Sequence, residues 1–358
     1  MFTGMEAGSD ISVFKSDAYD PVLGPLLPLQ DEEKQVHQKV ITGLFPQRTT
    51  VHHSALDCRS RPECFTSFWT EIGFVISISL SQVFDEYLTS GFFALMPVLM
   101  EEFQLSDTSI AWPASVTPLF ISAFLLSFGR LADMYGGFTI YAGGIAWASS
   151  WTILAGFSNN YTMFMFCRAM QGLGAAAHLP AGLAMLGKIY RPGPRKNMVF
   201  SIYGAMAPLG SFVGILMASL VSQYAHWSWY FWIGGLIALV ALIGTITNKP
   251  PAGLDCVDGA LRMDWVGSIS LAASLMLLVY SITEAADVKQ WWRAPRVAAT
   301  GILATIGFAV TAVIERRFVG QPLIPASVFQ IDYIRPLLIG LLPSYGAVSV
   351  YTCYATLQ

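Results

Sequence analysis

Long apolar runs follow one another along the chain after residue 65, separated by short polar connections. Each run is close to or above the roughly 20 residues that a helix needs to cross a hydrocarbon core about 30 Å thick. We predict nine membrane-spanning helices, over residues 70–100, 109–131, 138–157, 161–187, 198–223, 228–247, 264–283, 297–315 and 334–356. The pattern therefore predicts an all-α polytopic membrane protein, because helices satisfy their own backbone hydrogen bonds in lipid.

The first 65 residues have a different pattern. They are polar, mixed in charge and interrupted by Pro and Gly, and the stretch "DEEKQVHQK" has no apolar face that could pack on a core. Such a segment cannot bury enough apolar surface to offset its loss of conformational entropy. We predict a disordered cytoplasmic tail over residues 1–65, and we expect the first apolar run to serve as the membrane anchor in place of a cleaved signal peptide.

Composition narrows the function classes. Hydrophobic residues make up 54% of the 358 residues and charged residues 12%, whereas a soluble domain carries about 25% charge. The net charge of −3, without a basic patch, argues against a nucleic-acid partner, and the five cysteines have neither CxxC nor histidine spacing for a metal. The sequence has no phosphate-binding glycine loop, nucleophile elbow or HExxH pattern, so we expect no cofactor and no enzymatic activity.

Basic residues are distributed unevenly between alternate connections. If the tail is inside, the inner connections and helix ends hold most of them: Arg130, Lys188, Arg191, Arg195, Lys196, Lys249, Arg262, Arg316, Arg317 and Arg335. The outer connections hold Lys289, Arg293 and Arg296. This bias predicts a cytoplasmic N-terminus. Four tryptophans at outer ends of runs predict an aromatic belt at the lipid interface: Trp227, Trp229, Trp291 and Trp292.

Two consecutive carboxylates, Asp85 and Glu86, stand near the middle of the first run. A polar stripe at helical spacing includes Glu86 and consists of Ser79, Gln82, Glu86 and Thr89. Asp85 is offset from that stripe by about 100°. A charged group at the bilayer centre costs at least about 2.5–3.5 kcal/mol, so both acids should face protein or a water-filled cavity. They either bind protons and line a transport path or pair with neighbouring helices to fix packing.

The fourth run supplies candidate partners in "FCRAMQGLGAAAHLPAGLAMLG". Arg168, Gln171 and His178 fall within an arc of about 80° on a helix. We expect the long Arg168 side chain to reach toward the two carboxylates, where burial and a neighbouring cation compete to set their protonation. The proton-coupling candidates are therefore Asp85, Glu86 and Arg168, and the substrate-cavity candidates are Gln82, Thr89, Gln171 and His178. Alternatively, Arg168 forms a static buried ion pair, and His178 is a hydrogen-bonded packing residue.

Small residues and prolines predict close helix packing and movement between helices. The connection "GRLADMYGGF" contains Gly129, Asp133 and Gly136, and Asp133 can accept bonds from a nearby helix N-terminus. The fifth run, "GAMAPLGSFVGILMAS", contributes Gly204, Pro208, Gly210 and Gly214, of which the last two form a GxxxG pair. Together these seven residues are the candidate conformational motif.

These stretches resemble the signatures of the major facilitator superfamily. "GRLADMYGG" is similar to the loop signature between spans two and three, although Met134 and Gly137 stand where basic residues are usual. "RAMQGLGAA" is similar to the fourth-span signature, whose arginine is linked to proton coupling, a role that the resemblance gives to Arg168. "GAMAPLGSFVG" resembles the fifth-span antiporter signature, with Ala207 where glycine is preferred.

More narrowly, "CRAMQGLGAAAHLPAG", "IYRPGPRKN", "WSWYFWIG" and "ERRFVGQPLIP" resemble the 14-span drug:proton antiporters of the fungal aminotriazole-resistance type. The resemblance implies a six-helix N-terminal bundle over 66–247 and a linker with two additional helices over 248–315. Residues 316–358 would be a cytoplasmic loop and the first helix of a C-terminal bundle. Five further spans are expected after the ninth, so we expect a C-terminally truncated form.

The function that this resemblance implies is secondary active transport, with proton-coupled export of small organic compounds or drugs. The expected partners are the lipid bilayer, a small-molecule substrate and protons, with no obligate protein partner. We expect an integral multi-pass protein of the plasma membrane rather than the vacuolar membrane. The alternatives are an uncoupled facilitator for a small polar solute or oxyanion, and a non-transporting fragment.

Overall fold

The apolar runs of the sequence become long helices in the computed structural model, which describes residues 62, 65, 67–104, 111–249, 263–287, 294–317 and 333–357. The described residues form nine helices: α1 (Phe68–Glu102), α2 (Ala111–Tyr135), α3 (Gly137–Ala155), α4 (Tyr161–Ile189), α5 (Pro194–Tyr224), α6 (Ser228–Thr247), α7 (Trp265–Asp287), α8 (Pro295–Arg317) and α9 (Ile334–Leu357). Each helix coincides with one predicted run, so the predicted all-α fold class is confirmed. The predicted tail, residues 1–65, lies outside the described residues apart from positions 62 and 65.

Six of these helices are long and apolar enough to cross a membrane, namely α1, α2, α5, α6, α7 and α8. The sequence predicted nine spans. α3 and α4 are outside this set: α3 has 19 residues with many Gly, Ala and Ser, and α4 carries Arg168 and His178. Small residues let helices pack closely against one another.

Two groups of contacts organise the helices. α1 packs against α5 and α6, and α4 packs against α2 and α3. α3 also contacts α6, which joins the two groups, while α7 packs on α8 and contacts α2. α9 contacts α1. The predicted division at residues 66–247, 248–315 and 316–358 stays a prediction.

Glycines set the closest approach between α1 and α5. A Cβ atom at Gly210 would lie 2.7 Å from the carbonyl oxygen of Val83, and one at Gly214 would lie 2.6 Å from that of Tyr87. Gly91 of α1 meets the backbone of Gly214 from the other side. The GxxxG pair of α5 therefore lies directly on α1, in agreement with the use of small residues at membrane helix contacts.

The C-terminal end of α1 and the N-terminal ends of α4 and α6 meet in an aromatic cluster. Phe164 and Trp227 have ring centroids 6.0 Å apart, and Phe103 contacts both rings. Trp227 is only 4% exposed, so its predicted place in a lipid-facing belt is wrong: the ring packs in the interior of the helical bundle. Trp229 is exposed, as a belt residue would be. Trp291 and Trp292 lie outside the described residues.

Candidate functional site

Asp85 and Glu86 lie midway along α1, whereas Arg168, Gln171 and His178 are spread along α4, which runs in the opposite direction. Asp85 of α1 faces His178 of α4, and Phe92, two turns further along α1, faces Arg168. Residues later in α1 therefore lie beside residues earlier in α4. This antiparallel register decides which predicted partners meet.

Asp85 lies beside His178 in a closely packed part of the bundle. The Oδ1 atom of Asp85 is 3.4 Å from Nε2 of His178, and the histidine side chain is completely buried. Tyr141 of α3 packs edge-on to the imidazole, with ring centroids 6.1 Å apart. Four buried atoms here have no hydrogen-bond partner among the described protein groups: Asp85 Oδ2, His178 Nδ1 and Nε2, and the Tyr141 hydroxyl oxygen.

Glu86 points toward α5 instead. The Ser211 hydroxyl donates to its Oε2 atom at 3.2 Å, and the Ser90 hydroxyl donates to Ser211 at 3.0 Å. One turn earlier, the Tyr203 hydroxyl donates to Oε1 of Gln82 at 2.7 Å. Among the described residues, no cation pairs with the half-buried Glu86 side chain. These groups form a polar strip along α1 and α5, in which Gln82, Glu86 and Ser211 are half-buried and Ser90 and Tyr203 are buried.

Three of the predicted cavity residues differ in accessibility. Thr89 is exposed and Gln82 is half-buried, so both lie on or near the polar strip. Gln171 is 2% exposed, and it accepts a hydrogen bond from Arg168 inside the bundle. The Gln171 side chain of α4 is therefore packed inside the helical bundle.

Arg168 does not approach the two carboxylates, contrary to expectation. Its Nη1 atom donates to Oε1 of Gln171 at 3.1 Å, and its guanidinium lies 4.1 Å above the ring of Phe92. Phe92 follows Asp85 by seven residues, which is about 10 Å along a helix axis. No carboxylate of the described residues forms an ion pair with Arg168, whose side chain is almost fully buried. The sequence predicted that Arg168, Gln171 and His178 lie on one side of α4. It did not predict how far α4 is displaced along α1, which decides which residues of the two helices are neighbours.

The residues of the candidate conformational motif have separate roles. Gly136 adopts a φ of 96° immediately before α3, a conformation that favours glycine. Asp133 accepts a hydrogen bond from Lys188 Nζ at 3.0 Å, which links the C-terminal ends of α2 and α4. Gly204 faces open space, and the nearest contact of a Cβ atom at Gly129 would be an ordinary 3.7 Å.

The remaining members of that motif lie within α5. Pro208 is exposed and lies inside the helix, which continues through it. Gly210 and Gly214 carry the contact with α1 described above. Only part of the motif therefore supports close helix packing.

A second buried acid was not recognised from the sequence. Glu71, in the first turn of α1, is 4% exposed and accepts hydrogen bonds from the Tyr190 hydroxyl at 3.0 Å and from Arg195 Nε at 2.9 Å. Arg195 also donates through Nη2 to the other carboxylate oxygen. The acid occurs near the end of a predicted span, where solvation would have been an equally good interpretation. We call Glu71, Tyr190 and Arg195 the inner-end cluster.

One cavity among the described residues lies away from these charges. It measures about 370 Å³ and is lined by apolar groups of α2, α3 and α4, including Phe128, Ile140, Trp147 and Leu173. Its surface has no convergent polar groups that could orient a solute. No cluster of His, Cys, Asp and Glu in the described part of the chain could hold a metal ion.

A bundle of long apolar helices with ionisable side chains at mid-depth defines a polytopic membrane protein. Comparison with protein families identifies the class further, because the model of the Major Facilitator Superfamily matches residues 78–355. The chain belongs to this superfamily.

Several curated relatives of this chain are fungal transport proteins. The chain is 30% identical to the efflux pump terJ of Aspergillus terreus over 91% of this chain and 62% of that protein. It is 30% identical to the aminotriazole resistance protein of Saccharomyces cerevisiae, over 82% of this chain and 55% of that protein. Identity to the low affinity ammonium transporter of Saccharomyces cerevisiae is 36%, over 62% and 44% respectively. The chain thus spans about half the length of the curated relatives it matches.

Proposed function

We propose that this protein takes part in secondary active transport, and that it couples export of small organic compounds to proton entry. The observation that carries the proposal is the pair of carboxylates on α1 at mid-depth, neither of which is neutralised by an arginine or lysine of the described residues. Intramembrane acids are costly to maintain, and they commonly mark ion and substrate pathways.

The polar strip supports a substrate path beside Glu86. Its groups come from α1 and α5, which are in close contact through glycines. This close contact holds the two helices, and therefore the side chains of the strip, in fixed positions. Glu86, Gln82 and Thr89 offer an acceptor, an amide and a hydroxyl on the accessible side of α1. A few polar groups on an apolar surface suit small organic solutes, since they fix orientation without demanding one shape.

The relatives are consistent with export but differ in what their names say they handle. One is called an efflux pump, one a resistance protein for aminotriazole and one an ammonium transporter. We infer a small polar or amine-containing solute, transported across the plasma membrane with the N-terminus in the cytoplasm. Orientation rests on the excess of basic residues in the inner connections.

A facilitator that attracts an oxyanion through Arg168 is the weaker alternative. Such a role needs an accessible guanidinium, whereas Arg168 is 2% exposed and already bound to Gln171 and Phe92. A static role for Arg168 in holding α1 and α4 together fits its contacts better.

The test is transport by the full chain in proteoliposomes, with labelled aminotriazole as the probe and an imposed pH gradient. We expect proton-driven flux in the unaltered chain and loss of at least about 90% of that flux in Glu86→Gln, since removing a group used in the transport cycle costs tenfold or more. Glu101→Gln, the same change at the exposed outer end of α1, is the matched control and should transport normally. Undiminished proton-driven flux in Glu86→Gln, or no flux in the unaltered chain, would contradict the proposal.

A further inference from the structure

The cavity between α2, α3 and α4 lies apart from the residues of the proposed transport path. Phe128 of α2, Trp147 of α3 and Leu173 of α4 contribute to its lining. α2 and α3 both pack extensively on α4 but contact each other sparsely, so a gap remains between them. The cavity volume of about 370 Å³ falls within the range of about 300–1,000 Å³ that is usual for small-molecule sites. The gap is therefore large enough for an organic ligand.

The cavity opens on the outside of the helical bundle, along α3. Thr139, Gly143 and Trp147 line it at intervals of four residues, which places them on one stripe of the helix. All three are exposed, and the exposed fraction of Trp147 is 47%. α3 packs against α4 and α6, and both α2 and α6 are long and apolar enough to cross a membrane. Because an apolar cavity does not hold water, the molecules that reach this opening are membrane lipids.

The deep side of the cavity is flat because glycines form it. A Cβ atom at Gly144 would lie 2.8 Å from the Cβ atom of Ala177, and one at Gly174 would lie 2.7 Å from that of Ala148. Backbone atoms of α3 and α4 therefore form this surface, and no large side chain projects from it. A flat and rigid ring system fits such a surface and loses little conformational freedom on binding, whereas an acyl chain would lose the rotations of many bonds.

Thr139 supplies the only hydroxyl among the described residues that line the cavity. It is the third residue of α3, and its hydroxyl makes no hydrogen bond to another described residue. By contrast, the exposed Ser150 of the same helix donates to the carbonyl of Ala146 at 2.8 Å. From Thr139 to Trp147 the helix rises by about 12 Å. A free hydroxyl at one end of a long apolar surface matches the chemistry of a sterol, which carries one hydroxyl at the end of a flat hydrocarbon ring system.

We propose that this cavity binds a membrane sterol, with the rings on the surface of Gly144 and Gly174 and the sterol hydroxyl hydrogen-bonded to Thr139. The site goes beyond the proposed transport function, because none of its residues belongs to the polar strip. A bound sterol fills the gap between α2 and α3, and a ligand that binds only the folded chain stabilises it.

The experiment is photolabelling of the full chain in lipid nanodiscs with a diazirine-bearing cholesterol analogue, followed by mass spectrometry of the labelled peptides. We expect labels on the cavity residues of α2 and α3, and their loss in excess unlabelled cholesterol. Gly143→Leu should lower this competed labelling by at least about tenfold, since the new side chain overfills an occupied cavity. A Cβ atom at Gly143 meets no other atom within 4 Å, so the substitution itself causes no backbone clash.

The matched control is Gly340→Leu, the same change at an exposed glycine of α9 that also has open space around its Cβ position. It should leave the labelling unchanged. Thr139→Val keeps the shape of the side chain but removes the hydroxyl, and it should weaken competition by cholesterol about two- to tenfold, the loss expected for one hydrogen bond. Thr139→Ser keeps the hydroxyl and should retain the competition.

Labelling of the cavity that excess cholesterol does not reduce would overturn the proposal. Equal labelling in Gly143→Leu and the unaltered chain, or equal competition in Thr139→Val, would overturn it too. A phosphatidylcholine with a diazirine on its acyl chain is the second probe: if it labels the cavity and cholesterol does not displace it, the occupant is an acyl chain and the sterol site is refuted. Thermal unfolding identifies a variant that has failed to fold, in which case the competition in the unaltered chain decides. The measurement needs no transport, so failure of the proposed transport function leaves its outcome unaffected.

Discussion

The inner-end cluster and the Asp85–His178 site contain the same kinds of residue but satisfy them differently. Each places a carboxylate of α1 against a basic side chain and a tyrosine from other parts of the bundle. In the inner-end cluster, Glu71 accepts from Tyr190 and from two nitrogens of Arg195. In the other site, one oxygen of Asp85 and both nitrogens of His178 find no hydrogen bond in the described protein.

The difference separates a stabilising buried ion pair from a buried acid–histidine contact whose polar atoms are not all satisfied within the described protein. Arginine stays charged at any physiological pH and forms a two-pronged contact, so the Glu71–Arg195 pair is permanent. One helix therefore carries an acid near its N-terminus whose oxygens accept from Tyr190 and Arg195 and, about four turns further along, an acid beside a histidine whose nitrogens have no hydrogen bond in the described protein.

Arg195→Met is expected to have the largest effect on stability. It would leave the Glu71 carboxylate, 4% exposed, without its cation, and breaking a buried pair by removing one partner typically costs about 3–5 kcal/mol. Because the Arg195 side chain is 26% exposed, the lower end of that range is the better expectation. The free energy of unfolding can be measured by titrating the purified protein with denaturing detergent.

The control for this experiment is Arg296→Met, which changes an exposed arginine at the second position of α8, after a proline, as Arg195 is the second residue of α5 after Pro194. It should alter the free energy of unfolding by no more than about 0.5 kcal/mol. Equal losses of unfolding free energy in the two variants would mean that the ion pair of the inner-end cluster does not stabilise the fold.

The two tyrosines allow one substitution to be compared in both places. Tyr190→Phe removes a hydroxyl that donates to Glu71, so we expect a loss of about 1–3 kcal/mol. Tyr141→Phe removes a hydroxyl without a hydrogen bond in the described residues, so we expect little loss or a small gain. The same unfolding measurement applies, and a larger loss in Tyr141→Phe than in Tyr190→Phe would contradict the contrast between the clusters.

The helices could be predicted well from the sequence because their signal is local. A run of about 20 apolar residues allows few alternatives to a helix, and all nine runs became helices. The small residues of α3 and α4 serve contacts between helices, which the apolar runs alone do not reveal. Reasoning from the runs also misplaced Trp227, since the position of a tryptophan at a helix end does not say which way its ring turns.

The sequence predicted the direction in which the site residues point around each helix axis, but not which residues of neighbouring helices lie at the same level. The offset between Asp85 and Glu86 follows from helical geometry, and the structure points them to different helices. The partner of Asp85 depends on how far α4 slides along α1, a quantity that connections and packing determine. This is why His178, rather than Arg168, lies beside Asp85. Ser211 and Tyr203 were missed for a related reason, because hydroxyls are common and only the contact of α5 with α1 selects these two.

The smallest expected effect concerns the third acid–base contact, between Asp133 and Lys188 at the C-terminal ends of α2 and α4. Its nitrogen–oxygen distance of 3.0 Å is as short as the contacts of Glu71, but the Lys188 and Asp133 side chains are 41% and 46% exposed. Exposed pairs contribute only about 0–1 kcal/mol, since water already solvates both charges and salt screens them. Asp133→Asn should therefore lower the free energy of unfolding by less than about 1 kcal/mol, and the loss should shrink further in high salt, whereas the effect of Arg195→Met should persist there. A loss in Asp133→Asn as large as that in Arg195→Met would show that burial is not what distinguishes the inner-end cluster from an exposed ion pair.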